Sequence, residues 1–135
     1  FPEPILMENK KVIALPHLGA STFEAEENCA IMVIENIKDY IENGNINFSV
    51  NFPDAVMSRK KASRITIANK NIPNMVGQIT TYLASAKLNI EDLLNKSNGN
   101  LAYTIIDLDK NVSDEVINQI NSIEGVIKVR NLGKR

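Results

Sequence analysis

The chain has 135 residues, starts at Phe1, and is 44% hydrophobic and 23% charged with a net charge of −1, which is room for one ordinary globular domain, or a small domain plus a fragment cut from something longer. It has no basic block or Lys/Arg stripe interleaved with aromatics, so no nucleic-acid partner is expected, and its apolar runs are far too short to span a membrane. With one cysteine, Cys29, and one histidine, His17, there is no internal disulfide and no zinc site is expected, in keeping with a reducing cytoplasm.

Residues 1–10 carry two prolines and read as a loop. The run Lys11–Leu15, stopped by Pro16, reads as a short strand buried on both faces. Pro16–Ala20 then leads into a helix. Ser21 and Glu24 have the spacing of a capping box, and Glu24, Glu26 and Glu27 place negative charge at the positive end of the helix dipole. Ala30, Ile34, Ile37 and Ile41 form one apolar stripe, and Asn43-Gly44 closes the helix. One strand and one helix cannot enclose a core, so their partners are expected upstream.

Residues 45–61 read as an extended linker, with Phe48, Val50 and Phe52 alternating before Pro53 and the basic cluster Arg59-Lys60-Lys61. Beyond Arg64 the pattern changes. Ile65 and Ile67 alternate with polar or small neighbours as in a strand, and 69–73 is a loop. Pro73 suits the first turn of a helix whose inner face carries Val76, Ile79, Leu83 and Ala86. Residues 90–97 and 101–108 read as a hairpin turning at Asn98-Gly99. Ser113 caps a second helix with Val116, Ile117, Ile120 and Ile123 inward; Gly125 ends it, and 126–129 is a last strand. The order βαββαβ predicts an α+β, ferredoxin-like fold with both helices on one face of a four-stranded antiparallel sheet. The expected division is 1–50, a remnant of a larger α/β domain; 51–62, a linker; and 63–135, a small domain complete in itself. Two open sheet edges and an uncovered face point to at least a homodimer.

His17 follows a strand-like run and precedes a helix, a place where catalytic groups gather in α/β sheets. Imidazole, with a pKa near neutrality, can take a hydroxyl proton as hydride leaves; an ordinary loop histidine is the plain alternative. Asn69, Asn71 and Asn74 lie before a helix N-terminus, whose unpaired N–H groups suit a carboxylate, while amide oxygens accept from an ammonium. Turn geometry alone also favours asparagine. Cys29 reads as a small buried residue, and Met32, Met57 and Met75 as gap-fillers. Arg59-Lys60-Lys61 reads as solvated, with a phosphorylated substrate as the sharper alternative.

Phe1-Pro2-Glu3-Pro4 and the run Val12–Glu26, with Pro16-His17-Leu18-Gly19-Ala20-Ser21-Thr22 at its centre, resemble the C-terminal signature of the NAD-dependent D-2-hydroxyacid dehydrogenases, in the form found in their phosphoglycerate branch. The resemblance implies that His17 is the catalytic acid/base and that His17, Leu18, Gly19 and Ala20 border the nicotinamide of NAD. The family often has Gly-Gly where this chain has Gly19-Ala20. The dinucleotide fingerprint, the substrate arginine and the histidine's acidic partner are absent, so this piece alone is expected neither to bind NAD nor to turn over substrate. Residues 67–88 and 94–107 resemble the ACT regulatory domain attached to these enzymes. That implies subunit pairing and an amino-acid effector, L-serine in some relatives, held by Asn69, Asn71 and Asn74, with Asn89 reaching across from a second copy. Asn69 stands where serine-sensing relatives have histidine, and Asn74 where they usually have glycine. Two alternatives stay open: a different 2-hydroxyacid substrate, and an ACT module with no catalytic role.

Overall fold

The structure is a computed structural model that describes residues 3–60 and 63–134. Phe1, Pro2 and Lys61, to which the sequence assigns a role above, lie outside the described residues. The chain divides into two compact units, Phe1–Glu35 and Asn36–Arg135.

The first unit departs from expectation. Residues 4–7, read as loop, form a single helical turn, α1 (Pro4–Met7), because Pro4 starts a helix without needing its missing N–H. Lys11–Leu15 is not a strand. A strand exists by hydrogen bonding to a neighbour, and none is present among the described residues of this unit. Its apolar residues stay in solvent, with Ile13 85% exposed. The long helix α2 (Phe23–Asn43) does form. Its cap is Thr22 rather than Ser21, since Thr22 Oγ1 accepts from the Ala25 N–H at 3.2 Å. Cys29 is exposed, not buried, as are Met32 and the stripe residues Ile34, Ile37 and Ile41. No described residue of the first unit is buried, so that unit has no core of its own.

The second unit is the expected ferredoxin-like fold. Its elements are β1 (Ser63–Lys70), α3 (Met75–Ser85), β2 (Ile90–Asn98), β3 (Leu101–Leu108), α4 (Asp114–Asn121) and β4 (Val126–Lys134). All pairings are antiparallel, in the order β2-β3-β1-β4. Residues i and i+2 of a strand share a face. Ile65, Ile67, Ile106 and Leu108 therefore point to one side, where they pack with Ile79 and Leu83 of α3 and Val116 and Ile120 of α4. Each such burial stabilises the fold by roughly 1.5–3 kcal/mol. Ser113 caps α4 as expected, its Oγ accepting from the Val116 N–H at 3.4 Å.

Several local expectations shift by a residue or more. The hairpin loop is Gly99-Asn100, since Asn98 pairs with Leu101; Gly99, with φ +57, supplies the left-handed first position. Pro73 lies outside α3, whose N-cap is Asn74 in the left-handed conformation at φ +62. That moves the helix phase: Met75, not Val76, joins Ile79 and Leu83 in the core, and Ala86 is exposed.

The opposite face of the sheet is covered, contrary to expectation. Residues 45–57 do not run free as a linker. Ile46, Ala55 and Met57 pack on Tyr103 and Ile105, with Phe52, Ala68 and Leu94 alongside, and Ile46 and Ala55 form a small antiparallel bridge. Arg64 explains why this segment stays down. It is fully buried and bidentate to Asp107, Nε to Oδ1 at 2.6 Å and Nη2 to Oδ2 at 2.9 Å. Its remaining N–H groups donate to the carbonyls of Asn43, Met57 and Ser58.

The last turn of α2 is held in the same way. A helix ends with four carbonyls that lack intrahelical partners, and side chains of the sheet and of the connecting segment donate to them alongside the Gly44 N–H, which donates to Tyr40 O. Arg130 donates to Tyr40 O and Ile41 O and stacks on the Tyr40 ring at 4.2 Å. Arg59 donates to Glu42 O, and Arg64 to Asn43 O. Tyr103 Oη donates to Gly44 O at 2.8 Å. Cationic donors at a helix C-terminus also face its negative dipole end. Gly44 sits against β1 at φ +72, where a Cβ would run into Thr66 Cγ2.

Candidate functional site

The structure places the two groups of candidate residues in different units. His17 lies in the first, in an exposed loop. The loop is closed by the Ser21 N–H, which donates to Leu18 O at 3.0 Å. Leu18 is exposed, and a Cβ added at Gly19 would meet no atom within 4 Å. His17, Leu18, Gly19 and Ala20 thus form an open edge with free approach, bordered in sequence by the exposed Ile13, Leu15 and Phe23. The His17 imidazole forms no ion pair among the described residues. No group of three or more potential metal ligands occurs among the described residues.

The asparagine site is built by β1, the turn after it and the start of α3. Asn69, Asn71 and Asn74 line one cavity of about 160 Å³ together with Met75, Gly77 and Asn95. Asn69 is the last inward-facing residue of β1 and is 1% exposed. Its Nδ2 donates to Lys70 O at 2.7 Å, and its Oδ1 has no hydrogen-bond partner among the described residues. A buried amide oxygen left unpaired costs about 1–3 kcal/mol. Asn74 makes no side-chain cap, so the first N–H groups of α3 keep their donor capacity. Asn71 ties the loop to the hairpin, since its N–H donates to Asn100 O and its Nδ2 to Gly99 O. Asn89 is not brought to this cavity. It lies past the other end of α3, where its N–H donates to Asp109 Oδ1 at 2.9 Å.

Sequence reasoning missed Asn95. No burial signal could have found it: Asn95 shares a strand face with Leu93 but is itself exposed. Also missed was a cavity of about 320 Å³ on the opposite face, lined by Ile37, Tyr40, Ile46, Phe52, Ala68 and Tyr103 among others. It exists because the 45–57 segment folds back, which no local pattern announces. Burial there pushes the Tyr103 hydroxyl pKa above its ordinary value.

Comparison with known proteins finds relatives over most of the chain. Over 126 residues, 93% of its length, the chain is 29% identical to the D-3-phosphoglycerate dehydrogenase of Haemophilus influenzae. It is 28% identical over 127 residues to that of Escherichia coli K12, and 29% over 133 residues to D-3-phosphoglycerate dehydrogenase 1 of Saccharomyces cerevisiae. The chain resembles the D-3-phosphoglycerate dehydrogenases. It spans about a third of the length of these relatives, 31%, 31% and 28% respectively. No protein-family model matches it. Among solved structures it is similar to the ACT domain of a GTP pyrophosphokinase from Chlorobium tepidum, at 18% identity and TM-score 0.46, covering 52% of this chain and 95% of that one. It is also similar to the regulatory subunit of aspartate kinase from Thermus thermophilus, at 12% identity and TM-score 0.43, covering 56% of each. No helix among the described residues is long and apolar enough to cross a membrane.

Proposed function

We propose that this chain is the C-terminal part of a cytoplasmic, NAD-dependent D-3-phosphoglycerate dehydrogenase, with residues 1–50 closing the catalytic body, 51–62 joining it, and 63–135 forming an ACT domain. The parent converts 3-phospho-D-glycerate and NAD to 3-phosphohydroxypyruvate and NADH, the opening step of serine synthesis. The observation that carries this reading is similarity to these dehydrogenases over 93% of the chain. The absence of any buried residue in the described part of the first unit supports it too, because exposed Ile13, Leu15, Phe23 and Ile34 need a further apolar surface to cover them.

In this reading His17 takes the proton of the substrate hydroxyl. His17, Leu18, Gly19 and Ala20 would border the nicotinamide, and NAD would supply the hydride acceptor for the carbon that bears this hydroxyl. The open backbone at Gly19 fits one edge of a nicotinamide site, while the sequence holds no Gly-rich phosphate cradle. The chain alone is therefore expected to be inactive. In the full-length parent, His17→Asn should lower kcat by roughly 10²–10⁴-fold. An unchanged kcat, or turnover of phosphoglycerate by the isolated chain, would remove His17 or the division of labour from the proposal.

The ACT domain serves as amino-acid sensor and pairing module. Its sheet ends in β2 and β4, and addition of a second copy at such an edge gives a larger continuous sheet. The effector reading rests on the amide cavity, with L-serine the first candidate and Asn89 contributing from the second copy. A second reading, in which the ACT domain acts without catalysis, is favoured by one observation: the second unit alone has a complete core. Assay of the parent with D-3-phosphoglycerate and NAD separates the two.

A further inference from the structure

The larger cavity, of about 320 Å³, lies on the sheet face away from the amide cavity and has no part in the function proposed above. Its lining is rich in rings. Phe52 and Tyr103 meet edge to face, with centroids 6.1 Å apart and planes at 66°. Tyr40, Ile37, Ile46 and Ala68 extend the apolar wall. None of the described lining residues is charged, and Arg130, which stacks on Tyr40, is occupied with the carbonyls of Tyr40 and Ile41. Two lining amides, Asn36 and Asn47, are half-buried and make no side-chain hydrogen bond among the described residues. Each wall has its own ties. Tyr103 Oη donates to Gly44 O, and Ile46 is bridged to Ala55. The Phe48 N–H donates to Asp54 Oδ1 at 2.8 Å, and Ser49 Oγ accepts from the Phe52 N–H at 3.1 Å. The cavity is therefore formed before anything enters it.

We propose that this cavity binds a small, neutral aromatic molecule with one hydrogen-bonding edge, at a site independent of the amide cavity. Charge decides against an ion, which would give up its hydration and meet no counter-charge in the lining. The edge-to-face corner of Phe52 and Tyr103 offers a further ring the offset contacts that aromatic groups prefer. Volume sets the size. An apolar cavity of about 150 Å³ holds one benzene ring, so about 320 Å³ has room for a fused bicycle. Asn36 and Asn47 supply the few polar groups that orient a ligand in such a pocket, each amide offering donors and an acceptor. Such a ligand touches Ile37 and Tyr40 on α2, Ala68 on β1 and Tyr103 on β3 at once. It thereby clamps the end of α2 to the sheet.

The test is titration of the 135-residue chain with indole, followed by backbone amide NMR. The controls are indene, which lacks the N–H, and indole-3-acetate, which adds a negative charge. Saturable binding of indole, one per chain, is expected, with shifts concentrated at residues 36–52, 68 and 103. Indene should bind about two- to tenfold more weakly, the worth of one hydrogen bond, and indole-3-acetate at least tenfold more weakly than indole. Ala68→Leu places a larger side chain in the cavity and should weaken indole at least tenfold while the circular dichroism stays that of the parent chain. The double variant Asn36→Ala with Asn47→Ala should bring indole and indene to equal affinity, and it decides the matter if Ala68→Leu does not fold. No binding at millimolar indole, shifts centred elsewhere, equal binding of indole-3-acetate, or full affinity in a folded Ala68→Leu chain each overturns the proposal. So does a second copy as occupant, seen as shifts of the same residues on raising protein concentration alone, with a dimer in sedimentation that Ala68→Leu dissociates.

Discussion

The buried Arg64–Asp107 pair gives the sharpest test of how the second unit is held together. Asp107→Ala leaves a guanidinium with no accessible surface facing only the neutral carbonyls of Asn43, Met57 and Ser58. Removing one partner of a buried ion pair costs about 3–5 kcal/mol. Against a total stability of roughly 5–15 kcal/mol for a domain, that is about a fifth or more. With a urea m-value of roughly 1–3 kcal/mol/M, a loss of about 4 kcal/mol lowers the midpoint by about 1.3–4 M. The double variant Arg64→Met with Asp107→Leu separates two accounts of the pair. If the two charges mattered only to each other, apolar replacement would come out near neutral, as it often does for buried pairs. Here the same guanidinium also satisfies three backbone carbonyls. Orphaning them costs about 1–3 kcal/mol each when they stay buried. The double variant should therefore remain at least about 2 kcal/mol less stable than the parent chain. Urea unfolding followed by circular dichroism measures all three proteins. A near-neutral double variant, or an Asp107→Ala loss under about 1 kcal/mol, refutes the assignment of Arg64 as the fastener of residues 43–58.

Other substitutions probe neighbouring steps of the same argument. Gly44→Ala should destabilise by more than the ~1–2 kcal/mol of left-handed strain alone, because the new methyl also meets Thr66 and Leu132; chemical denaturation reads it. Tyr103→Phe removes the hydrogen bond to Gly44 O and should cost about 0.5–1.5 kcal/mol. Burial raises the Tyr103 pKa above 10.0, so the folded state holds its proton more tightly than the unfolded state. The stability contributed is complete below pH 10.0 and is lost as pH rises through the folded pKa. Tyr103→Phe should remove that part of the alkaline decline in thermal midpoint. Asn74→Gly should leave stability within about 1 kcal/mol of the parent chain, since glycine adopts the φ of +62 without strain.

The sheet domain was legible in the sequence because its signals are local. Alternation at Ile65 and Ile67, the spacing of Ile79 and Leu83, and Ser113 before an apolar-periodic run each reflect forces within a few residues. The misread positions are those where a distant partner decides. Lys11–Leu15 has a strand's composition, but a strand needs a neighbour. Residues 45–57 have a linker's composition, yet Arg64 and Tyr103 draw them onto the sheet. Asn74 displaced the expected helix start because a left-handed residue there changes which side chain enters the core, Met75 instead of Val76. Of the candidate site, the clustering of Asn69, Asn71 and Asn74 followed from their nearness in sequence. Asn95 required the register of β2 on β3, which pairs it with Thr104.

That register also makes β1 the element common to both faces of the sheet. Asn69, one residue before the end of the strand, lines the amide cavity, and the preceding residue, Ala68, lines the larger cavity on the other side. Two positions earlier Thr66 supports Gly44, and two before that Arg64 holds Asn43. A ligand that pairs Asn69 Oδ1 removes an unpaired buried acceptor and so favours conformations in which the end of β1 is ordered. Ordering one face of a strand orders the other, since both hang on the same backbone. Amide hydrogen exchange should then slow not only at 69–77 and 95–102 but also across the Ile46–Ala55 bridge and at Met57 when an amino acid binds. If protection stops at the cavity and exchange at Ile46, Ala55 and Met57 is unchanged, β1 does not carry the effect to the last turn of α2.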